Sequence, residues 1–286
     1  MPLNQQILLD NRPVGEAVAS NFKLTATETP ALQDGHVLVR HHYLSLDPYM
    51  RGRMNDSKSY AQAQPLGEVM IGGTVGEVVE SKNTRFPVGS SVVGMGGWQQ
   101  YSVVDANQAG ALRKVDTAHI PLSAYLGAVG MPGVTAWYGL MKICEPKAGE
   151  TVVVSAASGA VGSVVGQLAK ARGCRAVGLA GGPDKCRYVV DELGFDACID
   201  YKAYPDGKSL YKALKDATPN GIDANFENVW GAQIETFKIW GPTEKALYYI
   251  PGGKREPGES DEIGRRRTKP SRTASSSPPK MPISRS

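Results

Sequence analysis

An apolar run, Thr151-Val152-Val153-Val154, leads into Ser155-Ala156-Ala157-Ser158-Gly159-Ala160-Val161-Gly162, a turn of small residues that opens a helical stretch. The spacing is that of G-x-G-x-x-G, with Ala157 at the first glycine position and Gly159 and Gly162 at the other two. Such a turn suits a dinucleotide. Gly159 lets the backbone approach a pyrophosphate, and Gly162 lets the helix pack tightly on the strand. The helix N-terminus, approached through Ala160 and Val161, presents free N–H groups and a partial positive charge to the anion. A tight turn without a ligand has the same residues, so the motif counts only in context. The strand before it, the helix after it and a further βα unit supply that context.

The end of the second strand distinguishes the cofactor. An NAD site places Asp or Glu there, about 20 residues past the loop, for the ribose 2′-hydroxyl. Here the strand ends in Ala180-Gly181-Gly182-Pro183-Asp184-Lys185, with Arg187 close behind. An acid repels a 2′-phosphate, whereas a glycine turn followed by Lys185 receives one. The residues favour NADP(H), with Asp184 expected to cap the following helix. A purely solvated role for Lys185 or Arg187 is the alternative.

Two kinds of region must position this loop. Residues 1–120 read as β, with runs at 36–40, 73–79, 91–93 and 100–104 and glycines at 72–76 and 94–97 that suggest bulges at barrel corners. Segment 121–143 looks helical but is interrupted at Met131-Pro132-Gly133, so two helices meeting at a turn are expected. From 150 onward strands alternate with helices through Phe226, which argues for parallel βαβ units. The alternation stops near 230. The expectation is an α/β protein: a barrel domain (1–120), a partial Rossmann domain of about four strands (121–230), an unrelated segment (231–263) and a disordered tail (264–286). A sheet ending at its fourth strand would leave an uncovered edge prone to aggregation.

Composition narrows the function classes. The 286 residues carry a formal charge of +4, but 264–286 holds seven Lys/Arg and no acid, leaving −3 on 1–263. The tail lacks interleaved aromatics, so specific nucleic-acid binding is not expected. No apolar run approaches the ~20 residues of a membrane-crossing helix, and the start lacks the features of a signal peptide. The four cysteines form no CxxC. Reduced thiols and a cytoplasmic location are expected. No cysteine precedes Cys144, so the barrel cannot supply a thiolate to a catalytic zinc.

The chain resembles the zinc-independent medium-chain dehydrogenases/reductases of the leukotriene/prostaglandin reductase and alkenal double-bond reductase type, and bacterial curcumin-reductase-like oxidoreductases within them. The resemblance rests on Leu46-Asp47-Pro48-Tyr49-Met50-Arg51-Gly52-Arg53-Met54, on 130–140 (GMPGVTAWYGL), on the loop at 155–162, on Gly181-Gly182 with Lys185, and on Phe226-Glu227-Asn228-Val229. It implies a GroES-like barrel with the substrate cleft and a Rossmann domain holding NADPH. The implied reaction is hydride transfer to the β-carbon of an enone or enal, with a donor for the developing enolate. By resemblance Tyr49 lies at the substrate mouth, Met131 and Thr135 beside the nicotinamide, Gly181, Lys185 and Tyr201 around the adenosine phosphate, and Asn228 toward the ribose or nicotinamide. Each has a plainer reading. Tyr49 suits an ordinary half-buried tyrosine and Met131 packing filler. Thr135 suits a helix side chain bonded one turn back, and Tyr201 a strand-end tyrosine.

The resemblance ends near 229. Trp230 stands where the family has the first glycine of a pair, and the later strands, the enolate-binding tyrosine and the dimerisation strand are missing, so the family homodimer is not expected. Residues 248–261 (YYIPGGKREPGESD) resemble the entry to a Nudix box. Gly253, Glu259 and Arg267 fit its spacing, but Thr268, Ser271 and Arg272 occupy glutamate positions, which removes the metal site. A fusion followed by a frame change would account for these segments together. Two readings follow: an NADPH-dependent enone/enal reductase, or a catalytically silent NADPH-binding remnant of one.

Overall fold

In the computed structural model the described residues are 2–56 and 62–228, together with the backbone of Lys245–Tyr248 and Arg265–Arg267. The chain divides into two compact units, Met1–Pro132 and Gly133–Ser286.

The first unit is built from antiparallel strands. β1 (Leu3–Leu9) and β2 (Phe22–Glu28) form a hairpin-like pair. Five further strands follow: β3 (His36–Leu44), β4 (Thr74–Ser81), β5 (Ser91–Gly94), β6 (Tyr101–Asp105) and β7 (Leu112–Lys114). They make a sheet in the order β6-β3-β4-β5-β7. Isolated bridges from Gln6 to Gln99 and from Leu8 to Val69 tie the pair to the segments that precede β6 and β4. One of the two register shifts between β3 and β4 lies between His41 and Tyr43, opposite Gly76 and Val75. That is the bend the glycine-rich 72–76 stretch predicts. Alternating β-branched residues Val37, Val39, Val78 and Val92 meet Phe86 and Ala106 in one core. A second core joins Leu9, Met50, Met54 and Met70, with Tyr49, Phe22 and Trp98 packed against it. Met50 and Met54 come from the short helix α1 (Tyr49–Arg53) and its C-cap.

The Met131-Pro132-Gly133 stretch is not a break between two helices. It is the first turn of α2 (Met131–Tyr138), where proline is tolerated because its missing N–H has no intrahelical partner. The helix continues as a π-turn over Gly139–Cys144. Residues 122–126, expected as helix, form only a 3₁₀ segment.

The second unit contains the expected βαβ run. Strands β8 (Thr151–Val154), β9 (Arg175–Ala180), β10 (Ala197–Asp200) and β11 (Ala224–Glu227) alternate with α3 (Gly162–Ala171), α4 (Pro183–Asp191) and α5 (Gly207–Ala217). They lie parallel, in the order β10-β9-β8-β11. Both faces are covered. Val152, Val154, Ala176, Ala224 and Phe226 meet Val165 and Ala169 of α3, while Val153, Val177, Leu179 and Ile199 meet Leu210 and Leu214 of α5.

The sheet does not end at β11. β12 (Lys245–Tyr248) adds in parallel and β13 (Arg265–Arg267) antiparallel, giving six strands. The uncovered edge expected at the fourth strand is therefore paired. Pairing needs only backbone groups, so a four-residue run without helical context serves as a strand. Residues 265–267, expected within a disordered tail, form β13. The rest of that tail, and the Nudix-like segment apart from the backbone of Tyr248 and Arg265–Arg267, lie outside the described residues. Among the described residues no helix is long and apolar enough to cross a membrane.

Candidate cofactor site

Parallel strands present all their carboxyl ends on one side, and here those ends carry most of the residues expected to bind the cofactor. β8 delivers Ser155 and Ala156 into the loop. Ala156 adopts φ +45, in the left-handed region that costs a non-glycine residue about 1 kcal/mol or more. The reversal sends Ala157 back into the sheet, fully buried, where its N–H donates to the Leu179 carbonyl of β9 at 3.0 Å. The Gly159 N–H donates to the Ala156 carbonyl at 2.8 Å, which closes the turn.

α3 then begins at Gly162. A Cβ on that residue would lie 2.3 Å from the Ala156 carbonyl oxygen, so only glycine lets the helix start this close to the loop. A Cβ on Gly159 would meet nothing but Ala156 within 4 Å, so its other side is open to a ligand. The helix has no side-chain cap at Val161. Among the described residues the N–H groups of Ala160 and Val161 donate to no protein acceptor. Uncapped amides over an open glycine face fit a pyrophosphate.

At the neighbouring strand end Gly181 and Gly182 make the turn into α4. Gly182 has φ +107 and ψ 150, a conformation essentially confined to glycine. Its N–H donates to Asp200 Oδ1 at 2.8 Å, and the same oxygen accepts from Lys202 N–H at 3.0 Å. Asp200 thereby fixes the turn to the end of β10. Tyr201 packs over Gly181: a Cβ there would lie 2.8 Å from the Tyr201 hydroxyl. Asp184 does not cap α4 as expected. Gly182 holds the cap position with Pro183 next, and Asp184 pairs with Arg187. Arg187 is thus engaged, while Lys185 is exposed and, among the described residues, in no ion pair.

The strand order reverses between β8 and β11, the point where open α/β sheets bind ligands outside their carboxyl ends. Ser155 and Asn228 meet there. Asn228 N–H donates to Ser155 Oγ at 2.6 Å, and Asn228 Nδ2 donates to the Ser155 carbonyl at 2.9 Å. Asn228 Oδ1 is buried and, among the described residues, has no hydrogen-bond partner, an acceptor that a ligand hydroxyl or amide would satisfy. Sequence reasoning missed Ser155 and Asp200. Both act through bonds to backbone N–H groups, for which their positions at strand ends are the only signal.

The structure therefore brings Ala157, Gly159, Ala160, Val161, Gly162, Gly181, Lys185, Tyr201 and Asn228 along one sheet edge. Tyr49 and Met131 belong to the first unit. Tyr49 is half-buried with the Arg53 guanidinium 5.9 Å from its ring centre, and Met131 is 56% exposed. Thr135 lies in α2, half-buried. Among the described residues no group of three or more His, Cys, Asp or Glu is placed to hold a metal ion.

A parallel sheet with this order, loop and glycine turn defines a dinucleotide-binding unit of the doubly wound class. Comparison with known proteins narrows the class. A family model described as "N-terminal domain of oxidoreductase" matches residues 5–112, and one described as "Zinc-binding dehydrogenase" matches 160–237. The NADPH-dependent curcumin reductase of Escherichia coli is 46% identical over 228 residues, 80% of this chain and 64% of that protein. The NADP(+)-dependent 2-alkenal reductase of Nicotiana tabacum is 42% identical over 240 residues, 82% of this chain and 68% of that protein. The crystal structure of CurA from Vibrio vulnificus in complex with NADPH superposes with a TM-score of 0.74 at 47% identity, covering 81% of this chain and 67% of that one. The chain belongs to the medium-chain dehydrogenase/reductase family, in its zinc-independent reductase branch. It spans just under two thirds of the length of the E. coli relative.

Proposed function

We propose that the chain is an NADPH-dependent oxidoreductase that reduces the carbon–carbon double bond of α,β-unsaturated ketones or aldehydes. The observation that carries the cofactor choice is the β9–α4 turn. Two glycines are followed by Lys185, which is in no ion pair among the described residues, and no carboxylate ends β9, a combination that suits a 2′-phosphate. Ala157, Gly159, Ala160, Val161 and Gly162 would hold the pyrophosphate. Gly181, Lys185 and Tyr201 would hold the adenosine phosphate, and Asn228 would meet the ribose or nicotinamide side. Met131 and Thr135 are assigned to the nicotinamide, and Tyr49 to the substrate. NADPH, when bound, supplies a hydride to the substrate's β-carbon, and the enolate oxygen then calls for a hydrogen-bond donor. The chain's own contribution is orientation: Ser155 locks Asn228, and Asp200 locks the glycine turn. The names of the E. coli and tobacco relatives support the substrate class.

A second reading is favoured by the span of the match. The match to the E. coli relative spans 64% of that protein's length and includes the nucleotide crevice, which also suits a silent NADPH-binding remnant. One experiment separates the two. NADPH at about 100 times its Kd should stabilise the protein by about 2.7 kcal/mol, raising its melting temperature more than NADH does. Turnover is then followed with a simple enone. A stabilised chain that consumes no NADPH is the remnant. A chain that NADPH leaves unshifted binds no cofactor.

A further inference from the structure

Two cysteines sit beside this crevice without a part in it. Cys186 lies on α4 directly after Lys185, and Cys198 lies on β10, two residues before Asp200. The Cys198 thiol donates to the Cys186 sulfur, with the sulfurs 3.2 Å apart and both residues half-buried. The other two are differently placed. Cys144 and Cys174 are buried, and the Cys174 thiol donates to the Lys147 carbonyl at 3.2 Å. We propose that Cys186 and Cys198 form a dithiol that a hydroperoxide closes to an intramolecular disulfide, and that closure weakens NADPH binding by displacing Lys185. The second half of this rests on the cofactor reading above.

The step balances with the peroxide as oxidant. The Cys186 sulfur attacks a peroxide oxygen, and the O–O bond breaks to give a sulfenic acid and an alcohol or water. The Cys198 sulfur then attacks the sulfenic sulfur, the S–S bond forms, and water leaves with the thiol proton. Two thiols lose two electrons and the peroxide gains them. The order follows from the environment. Burial, the Cys186 sulfur and the Asp200 carboxylate all push the Cys198 thiol up, which keeps it the hydrogen-bond donor and Cys186 the first nucleophile.

In this proposal closure is taken up by α4. A disulfide is ~2.05 Å long, so the sulfurs approach by roughly 1 Å. A Cβ on Gly178 of β9 would lie 2.7 Å from Ala157 Cβ, 3.1 Å from Val189 of α4 and 3.3 Å from the Cys198 sulfur, so Cys198 packs in the seam between β9 and α4. Pro183, Asp184 and Lys185 at the start of α4 are exposed, and this turn gives way on closure.

The 286-residue chain is treated with hydrogen peroxide, its remaining thiols are alkylated, and peptides are mapped without reduction. The expected result is a Cys186–Cys198 link that dithiothreitol reverses, with Cys144 and Cys174 still alkylated. The oxidised protein should bind NADPH about three- to tenfold more weakly, as for a loosened charge-assisted contact, with NADH binding unchanged. C198S and C186S, treated identically, should show no change, each serving as control for the other's folding. Four titratable thiols after treatment, or links only to other cysteines or other molecules, overturn the proposal. A correct link with unaltered NADPH affinity overturns the switch. If neither redox form binds NADPH, the cofactor reading fails and the coupling with it, while the peptide map still decides whether the pair is redox-active.

Discussion

Lys185 and Arg187 lie two residues apart on α4, both exposed, and they differ in their partners. Arg187 is held by Asp184, and Lys185 has no such partner among the described residues. A charge-assisted hydrogen bond is worth about 1.5–3 kcal/mol, so Lys185→Ala should weaken NADPH binding by about tenfold or more while leaving NADH binding unchanged. Arg187→Ala should alter neither by more than about twofold. Titration of both variants with both cofactors checks this, and an equal loss for NADH would place Lys185 elsewhere than at the 2′-phosphate. Spacing alone pointed to Lys185. It could not separate Lys185 from Arg187, because an i,i+3 ion pair depends on side-chain rotamers rather than residue order.

At the scale of elements, the nucleotide crevice is only as firm as the contacts joining α3, β9 and β10. Asp196, just before β10, does much of the joining. It accepts from Lys170 of α3 at 2.7 Å and from the Ala176 N–H of β9 at 2.7 Å. Burial opposes its charge, but the Lys170 and Ala176 bonds and the nearby Arg175 outweigh burial and hold the carboxyl below its ordinary value of 3.8. A carboxyl depressed in the folded state stabilises fully above its unfolded pKa and loses that contribution as pH falls through the folded one. Asp196→Asn should therefore lower stability by about 1 kcal/mol at neutral pH, and the gap to wild type should close as pH falls below about 4. Urea titrations at several pH values test this; a gap constant across that range would exclude ionisation as the cause. Elements of this kind were unequally legible. The strands and helices of 151–227 could be read because apolar strands alternate with amphipathic helices. The start of α2 was misread as a break because proline signals both interruption and a first turn. β12 was missed because its register with β11 arises from contact across the sheet, which no local pattern announces.

On the scale of the whole molecule, the two units should respond to different solutes, because their buried polar groups differ. His41, on β3 of the first unit, has Nε2 2.9 Å from Ser102 Oγ and Nδ1 buried, without a partner among the described residues. Burial, with a smaller push from neighbouring His42, lowers it from 6.5 to about 4. A histidine depressed in the folded state is charged more readily on unfolding. Its contribution is intact above the unfolded pKa of 6.5 and declines as pH falls from there toward 4. Linkage over that interval puts the loss between about pH 7 and 5 at roughly 2 kcal/mol. The nucleotide crevice belongs to the other unit, so the difference between wild type and a His41 variant should be the same with and without saturating NADPH. His41→Gln keeps a hydrogen-bonding group for Ser102 Oγ but does not titrate. The variant has a lower starting stability, since Gly96 packs tightly on the imidazole ring, and a flat profile where wild type slopes. Denaturant midpoints at about pH 7, 6 and 5, with and without NADPH, decide the matter: wild-type and variant curves that fall in parallel would remove His41 as the source of acid sensitivity.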